Sequence, residues 1–187
     1  MRTACWLSAL LALSACTESP RHEAAPARAN APPAVTARTS QGRTTLTIHT
    51  TPGATSEVTV DRDETVGADS EPNSVRVVAA VSDRALVLVD TYDSKPLGLS
   101  MCQAGEESFL RVISIVPPPA RETLHMKVTS CRENLELADP GLEWRADAST
   151  LYVKWLSGPN GPGIPDARRI AFDAKGDAHL SIERQSR

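Results

Sequence analysis

No apolar segment of this sequence is long enough to cross a lipid bilayer as a helix. The longest run, Trp6 to Leu13, is interrupted by Ser8 and falls well short of the roughly 20 residues that a helical span requires. Cysteine is also scarce, with four in 187 residues, and no C-x-x-C pair is present. The sequence therefore predicts neither a transmembrane helix nor a cysteine-based redox or zinc centre.

Histidine is equally scarce, and its placement favours neither catalysis nor metal binding. His49, His125 and His179 each stand alone on a predicted strand, and no H-x-H or H-E-x-x-H spacing gathers metal ligands. We therefore predict no enzyme, no metal site and no cofactor. One alternative stays open, in which His125 meets Glu106 or Glu107 beside the cysteines.

Charge is divided unevenly along the chain. Residues 1–43 hold 5 basic and 2 acidic side chains, whereas the remainder holds 15 basic and 21 acidic ones, a net charge of -6. Binding to nucleic acid requires basic surfaces that neutralise phosphates. We therefore expect no nucleic-acid partner; the charge either complements a basic protein or only keeps the domain soluble.

The amino-terminal residues have the features of an export signal. Arg2 provides a positive charge, the apolar run follows, and Leu13-Ser14-Ala15-Cys16 ends it. This tetrapeptide resembles the lipobox of bacterial lipoproteins, which implies that residues 1–15 are a cleaved signal peptide and that Cys16 carries the lipid. Thr17 stands where aspartate retains enterobacterial lipoproteins in the inner membrane. The resemblance thus implies a lipid anchor on the periplasmic face of the outer membrane.

The segment after the lipobox has the composition of a linker. Residues 16–42 comprise the cysteine and a stretch rich in Ala, Pro, Ser and Thr, with Val35 as its only large apolar residue. Such a stretch cannot bury enough surface to offset its ordering entropy. We expect a flexible tether over 16–42 and a folded domain over 43–187.

Two cysteines remain for that domain, because Cys5 leaves with the leader and Cys16 takes the lipid. In an oxidising compartment Cys102 and Cys131 are expected to form a disulfide. Cys102 to Glu107 resembles a Cys-x-Ala-Gly-x-Glu segment of uncharacterised exported proteins of Gram-negative bacteria, over about residues 84–138. This resemblance implies no established activity. The preceding Gly98 to Cys102 departs from the G-x-S-x-G nucleophile elbow.

Short alternating runs separated by turn residues predict an all-β domain. We count nine or ten antiparallel strands and expect them to close as a sandwich or a barrel. Arg84–Thr91 and Phe109–Val116 are apolar on both faces and are expected at the centre.

Two further expectations concern the faces of individual strands. Val75, Val77, Ala79 and Val81 are expected to lie on one face of one strand. In the last hairpin, around Lys175-Gly176, we expect Leu180 and the following Ile182 to point inward.

Two loops are candidates for recognition. Asp61 to Glu71 carries five carboxylates, including Asp63 and Glu64, but Arg62 intrudes and the run misses the EF-hand pattern. A solvated loop is therefore predicted ahead of a calcium site. Ser157 to Pro165 holds three glycines and three prolines, which predicts a protruding, stiffened tip around Asn160.

These features predict a lipoprotein that binds a protein partner in the periplasm through Asn160, Asp61, Asp63 and Glu64. The most concrete form is an immunity or inhibitor protein against a secreted enzyme that degrades the cell envelope. An assembly or structural role in an envelope machine is the alternative, and a hydrolase without a visible signature is a lesser one. The link to inhibitors is one of architecture.

The lipid anchor can be tested at Cys16. We expect Cys16→Ser to abolish incorporation of radiolabelled palmitate and to remove the protein from the outer-membrane fraction, because the thiol that takes the lipid is gone. The wild-type chain is the control. Equal labelling of both proteins would contradict the lipobox assignment.

Overall fold

The computed structural model describes residues 33–41, 43–50, 53–95, 102 and 105–183, which belong to one compact unit. These residues form eleven strands and three antiparallel sheets, and none of them forms a helix long and apolar enough to span a membrane. The all-β prediction is confirmed. The predicted signal peptide, Cys16 and most of the predicted tether lie outside the described residues.

The strands follow one another as hairpins within each sheet. They are β1 (Ala34–Ser40), β2 (Arg43–Thr50), β3 (Ala54–Val60), β4 (Ser74–Val81), β5 (Ala85–Asp93), β6 (Glu106–Ser114), β7 (Arg121–Ser130), β8 (Glu136–Arg145), β9 (Thr150–Ser157), β10 (Asp166–Phe172) and β11 (Ala178–Ile182). The order is β1-β2-β3 in the N-terminal sheet, β4-β5-β6-β7 in the central sheet and β11-β10-β9-β8 in the C-terminal sheet.

The central sheet lies between the other two, because β5 and β6 bury both of their faces. Leu88 and Ile113 pack against the N-terminal sheet. Val87 packs on the opposite face against the C-terminal sheet, where Trp155 donates its indole N–H to the carbonyl of Val128 at 2.8 Å. The result is an unclosed, sandwich-like stack, and the two doubly apolar runs occupy its centre as predicted.

The first strand lies within the segment that we expected to be tether. β1 pairs with β2 over its whole length, from Ala34 opposite His49 to Ser40 opposite Arg43. Its small alternating side chains contribute little apolar area, but Val35 and Ala37 still pack against the core between the sheets. The folded domain therefore begins before residue 43.

The strand β4 does not keep one face toward one neighbour. A register shift between Val77 and Ala79 places an extra residue in the strand. Consequently Val75 and Val77 pack toward the N-terminal sheet, whereas Ala79 and Val81 pack toward the C-terminal sheet. A bulge of this kind reverses the direction of every side chain beyond it, so the expected common face is wrong.

The last hairpin forms as predicted, with Gly176 at a φ of +83° in its turn. Leu180 pairs with the buried Ile170 and so faces the same side, yet it is 44% exposed, and Ile182 is 63% exposed. β11 is the edge strand of its sheet, and although Ala178 packs against the core, the strand is exposed from His179 onward. The inward direction was predicted correctly for Leu180, but burial does not follow from it.

The stacked arrangement predicts that truncating two different isoleucines lowers the free energy of unfolding by very different amounts. Ile113→Ala should lower the free energy of unfolding by about 2–5 kcal/mol, because it leaves a cavity between two sheets. The control Ile182→Ala should change it by no more than about 0.5 kcal/mol, since that side chain already contacts water. Urea unfolding measures both, and equal losses would contradict the layer assignment.

Candidate functional site

The two predicted recognition loops lie against the same turn, Cys131–Asn134, which joins β7 to β8. The acidic loop is connected to it through Lys127, whose ammonium contacts Asp63 at 3.1 Å and also Glu133. The glycine-proline loop is connected through Ser157, whose hydroxyl donates to the carbonyl of Asn134. We call residues 61–70, 131–134 and 157–165 together the loop end.

A disulfide supports this turn. Cys102 and Cys131 are bonded, with their Cα atoms 5.7 Å apart, which confirms the predicted pair. Gly105 passes so close that a Cβ there would lie 2.5 Å from that of Cys131, so no larger residue fits. Closing a loop of 29 residues removes denatured-state entropy worth roughly 3 to 4 kcal/mol.

The three predicted carboxylates of the acidic loop have different roles. Asp63 accepts hydrogen bonds from the backbone N–H and hydroxyl of Thr65 at 2.9 and 2.6 Å. Burial alone would raise the pKa of Asp63, but these bonds and Lys127 outweigh it and hold that pKa below its ordinary value. Asp61 and Glu64 are exposed. Asp63 therefore shapes the loop, while its two neighbours face solvent.

Arg62 organises the same loop from within. Its guanidinium donates to the carbonyls of Gly67, at 2.8 Å, Ala68 and Ser70, and it lies 5.4 Å from the ring centre of Tyr92. Backbone oxygens of this kind are ligands that a bound calcium would use. In the described residues no group of three or more His, Cys, Asp or Glu side chains could hold a metal ion.

The glycine-proline loop is folded back on its own base. The N–H of Gly158 donates to the carbonyl of Ile164 at 2.8 Å, and the N–H of Gly163 donates to the Ser157 hydroxyl at 2.8 Å. Gly163 has a φ of +68°, which suits glycine. Asn160 is exposed at the turn, and Ile164 beside it is 49% exposed. The loop thus presents a polar tip and an apolar side chain on a closed stem.

An open cleft of about 410 Å³ lies beside the turn. It is lined by Glu64, Thr65, Lys95, Arg132 and Glu133. The backbone N–H of Lys95 donates to the carbonyl of Thr65 at 2.7 Å, which holds its two walls together. The cleft is polar and carries both signs of charge, so it suits a charged protein surface better than an apolar ligand.

The structure does not bring His125 to Glu106 or Glu107. His125 pairs in register with Arg111 in the middle of β6 and β7, whereas Glu107 pairs with Ser130 at the end of these strands. Glu107 is buried and Glu106 is exposed. A general acid or base must lie within hydrogen-bond reach of its partner, so these three residues do not form the group that the sequence left open.

Sequence reasoning missed a cluster of buried charges beneath the loop end. The Arg111 Nε donates to both Asp90 carboxylate oxygens, at 2.8 and 2.9 Å, and Nη1 lies 2.7 Å from Glu122. Tyr92 donates to Asp90 at 2.7 Å and lies 3.3 Å from the Thr44 hydroxyl on β2. Arg111 and Asp90 are fully buried. This cluster joins the central sheet to the N-terminal sheet.

Electrostatics favour the charged form of Arg111 and the protonated form of Tyr92. Burial alone would lower the pKa of Arg111, but Asp90 and Glu122 outweigh it and raise that pKa. Burial and the Asp90 charge raise the pKa of Tyr92 to about 12, so the phenol remains a donor. A charged Arg111 within the mostly apolar run Phe109–Val116 was the available signal, since buried charges require partners.

Comparison with protein-family models, with curated proteins and with solved structures finds no match to this chain. Function must therefore be argued from its own residues, since a fold by itself does not determine one. The loop end, with its exposed side chains and the polar cleft beside it, is the surface whose geometry bears on function.

The buried cluster should be sensitive to loss of one charge. Asp90→Asn should lower the free energy of unfolding by about 3–5 kcal/mol, because it leaves Arg111 buried without its principal counter-charge. The matched control is Asp93→Asn on the same strand. Its exposed carboxylate accepts a hydrogen bond from Asn73, and a loss below about 1 kcal/mol is expected. Urea unfolding would contradict the assignment if both variants lost the same amount.

Proposed function

We propose that this protein is a lipid-anchored lipoprotein on the periplasmic face of the outer membrane that binds a protein partner through its loop end. Its most concrete role is that of an immunity or inhibitor protein against a secreted enzyme that degrades the cell envelope. The observation that carries the proposal is the closed glycine-proline loop, with Asn160 and Ile164 exposed on it.

The loop is suited to entering a partner's cleft. Its base is held by Ser157, and backbone hydrogen bonds from Gly158 and Gly161 hold the turn itself. A pre-organised loop loses less conformational entropy on docking than a flexible one. Exposed apolar side chains close to polar ones provide an anchor with a polar rim, as interfaces do.

The charges around the loop supply complementarity. Asp61 and Glu64 are exposed, and Glu133 extends the acidic side chains along the turn. Lys127 neutralises part of that charge through its contacts with Asp63 and Glu133. A partner with basic residues around its cleft would be steered toward this surface, and rim charges of this kind act mainly on the rate of association.

The partner can be identified by photo-crosslinking in living cells. A photo-reactive amino acid at Asn160 should become linked to a secreted or periplasmic hydrolase. The control is the same amino acid at Thr59, which is exposed on β3 in another sheet. Linkage at Asn160 to non-enzymatic components of an envelope machine would instead support the assembly role.

Inhibition tests the same proposal with a matched pair of variants. The detergent-solubilised lipoprotein should block hydrolysis of the captured enzyme's substrate, and Ile164→Asp should weaken that block at least about tenfold, or about 1.4 kcal/mol of binding free energy. Val116→Asp is the control, since Val116 is 41% exposed but follows the opposite end of β6. Equal inhibition by both variants would contradict a role for the loop.

A further inference from the structure

The C-terminal sheet ends in an unprotected edge at β11. In the described part of the chain no strand pairs with the outer side of β11. The edge strands β4, β7 and β8 all carry register shifts, and β8 also contains Pro140. Such irregularities disfavour edge-to-edge pairing. β11 has neither lysine nor proline nor a bulge. The edge strands β1 and β3 are equally regular, but their valines are buried or half-buried in the core, whereas β11 exposes Leu180 and Ile182.

The backbone groups on that edge can be assigned from the pairing with β10. Asp173 donates its N–H to the carbonyl of Asp177, and Glu183 donates to the carbonyl of Ala167. Antiparallel pairs alternate between bonded and non-bonded positions. The odd-numbered residues of β11 therefore bond to β10, and the N–H and C=O groups of Ala178, Leu180 and Ile182 point to the open edge.

Two of the same residues also carry large apolar side chains that are exposed to solvent. Leu180 is 44% and Ile182 63% exposed, and side chains two residues apart lie on one face of the strand. A second extended strand can add to such an edge. It would bond to the outward N–H and C=O groups and cover the exposed aliphatic side chains beside them.

We propose that two copies of this chain pair through β11, antiparallel and two-fold symmetric about Ser181. This goes beyond the proposed function, because it assigns a second interaction surface and its partner. In this register Leu180 of each copy lies opposite Ile182 of the other. The backbone N–H and C=O groups of these two residues then bond to each other across the edge. The two C-terminal sheets then become one continuous sheet.

The aliphatic pairing of Leu180 with Ile182 favours a second copy of the same strand, and charge favours this register over the neighbouring one. With the axis at Ser181, His179 lies opposite Glu183 of the second copy on the outer face. Nε2 of His179 lies 3.6 Å from Asp173 of its own chain. With the axis at Leu180, Asp177 would instead lie opposite Glu183 of the second copy, and like charges at directly opposed positions are destabilising.

The proposed interface is short and therefore weak, so covalent capture is the suitable test. Ser181 lies opposite itself at a non-hydrogen-bonded position, where Cα atoms are about 4.5 Å apart and a disulfide can form. Full-length Ser181→Cys should give a disulfide-linked dimer in intact cells after mild oxidation with copper-phenanthroline. The wild-type chain, with its four cysteines, gives the background.

The matched control is Arg169→Cys, which is exposed on β10 directly beside Ser181. In the proposed dimer the two residues 169 are three strand spacings apart, about 14 Å, which is too far for a disulfide. Only Ser181→Cys should therefore give a dimer. Equal yields from both variants would reveal random collision and overturn the proposal, and a monomer alone from Ser181→Cys would do the same.

A second substitution separates the outward hydrogen bonds from the fold. Added to Ser181→Cys, Leu180→Pro removes only an outward N–H and should abolish the dimer, whereas Leu180→Ala keeps that donor and should retain it. Formation of the Cys102–Cys131 disulfide reports that each variant is folded. A folded Leu180→Pro protein that still gives the dimer, or linkage of Ser181→Cys to a different protein, would overturn self-pairing.

Discussion

The contact between Arg111 and Asp90 is the constraint on which the rest of the fold depends. Removing an ion pair from water costs several kcal/mol for each ion, and the attraction between the charges offsets that cost only with further hydrogen bonds. Among the described residues, Nη2 of Arg111 has no such partner, whereas its Nε and Nη1 do. Asp90, Glu122 and Tyr92 supply those partners within the central sheet, and Thr44 reaches them from the N-terminal sheet. The charges stay dry only while β1, β2 and β3 cover them. The N-terminal sheet is therefore a necessary layer of the fold.

The same cluster extends toward the loop end. Phe109 lies 5.5 Å from the guanidinium carbon of Arg111 and 6.0 Å from the ammonium of Lys127, which in turn contacts Asp63 and Glu133. Cations favour the faces of aromatic rings. A continuous series of packed and charged contacts thus connects the buried sheet with the acidic loop and the turn beside it. The loops are held by the core, and this rigidity supports the proposed docking surface.

Local patterns in the sequence were sufficient for much of this fold. Two-faced apolar runs identified β5 and β6 as central, alternation and a Lys-Gly turn identified the last hairpin, and the cysteine count identified the disulfide. Features that depend on other layers were missed. Val35 is too isolated in the sequence to indicate β1. In β4, one added residue near Val78 turns the side chains that follow it to the opposite face of the sheet. Leu180 faces inward, but no sheet among the described residues covers it. The link from Lys127 to two loops arises only from tertiary packing.

The central claim is that stability is concentrated in β5 and β6, whereas the proposed recognition surfaces are loops and an edge around them. Native-state hydrogen exchange measures this directly, because amides in the most stable unit exchange only through global unfolding. The amides of β5 and β6 should be the slowest in the chain and should share one free energy of exchange. In the monomer, those of β11 that point to the open edge should exchange by local fluctuation. Protection in β5 and β6 no greater than in β11 would contradict this account.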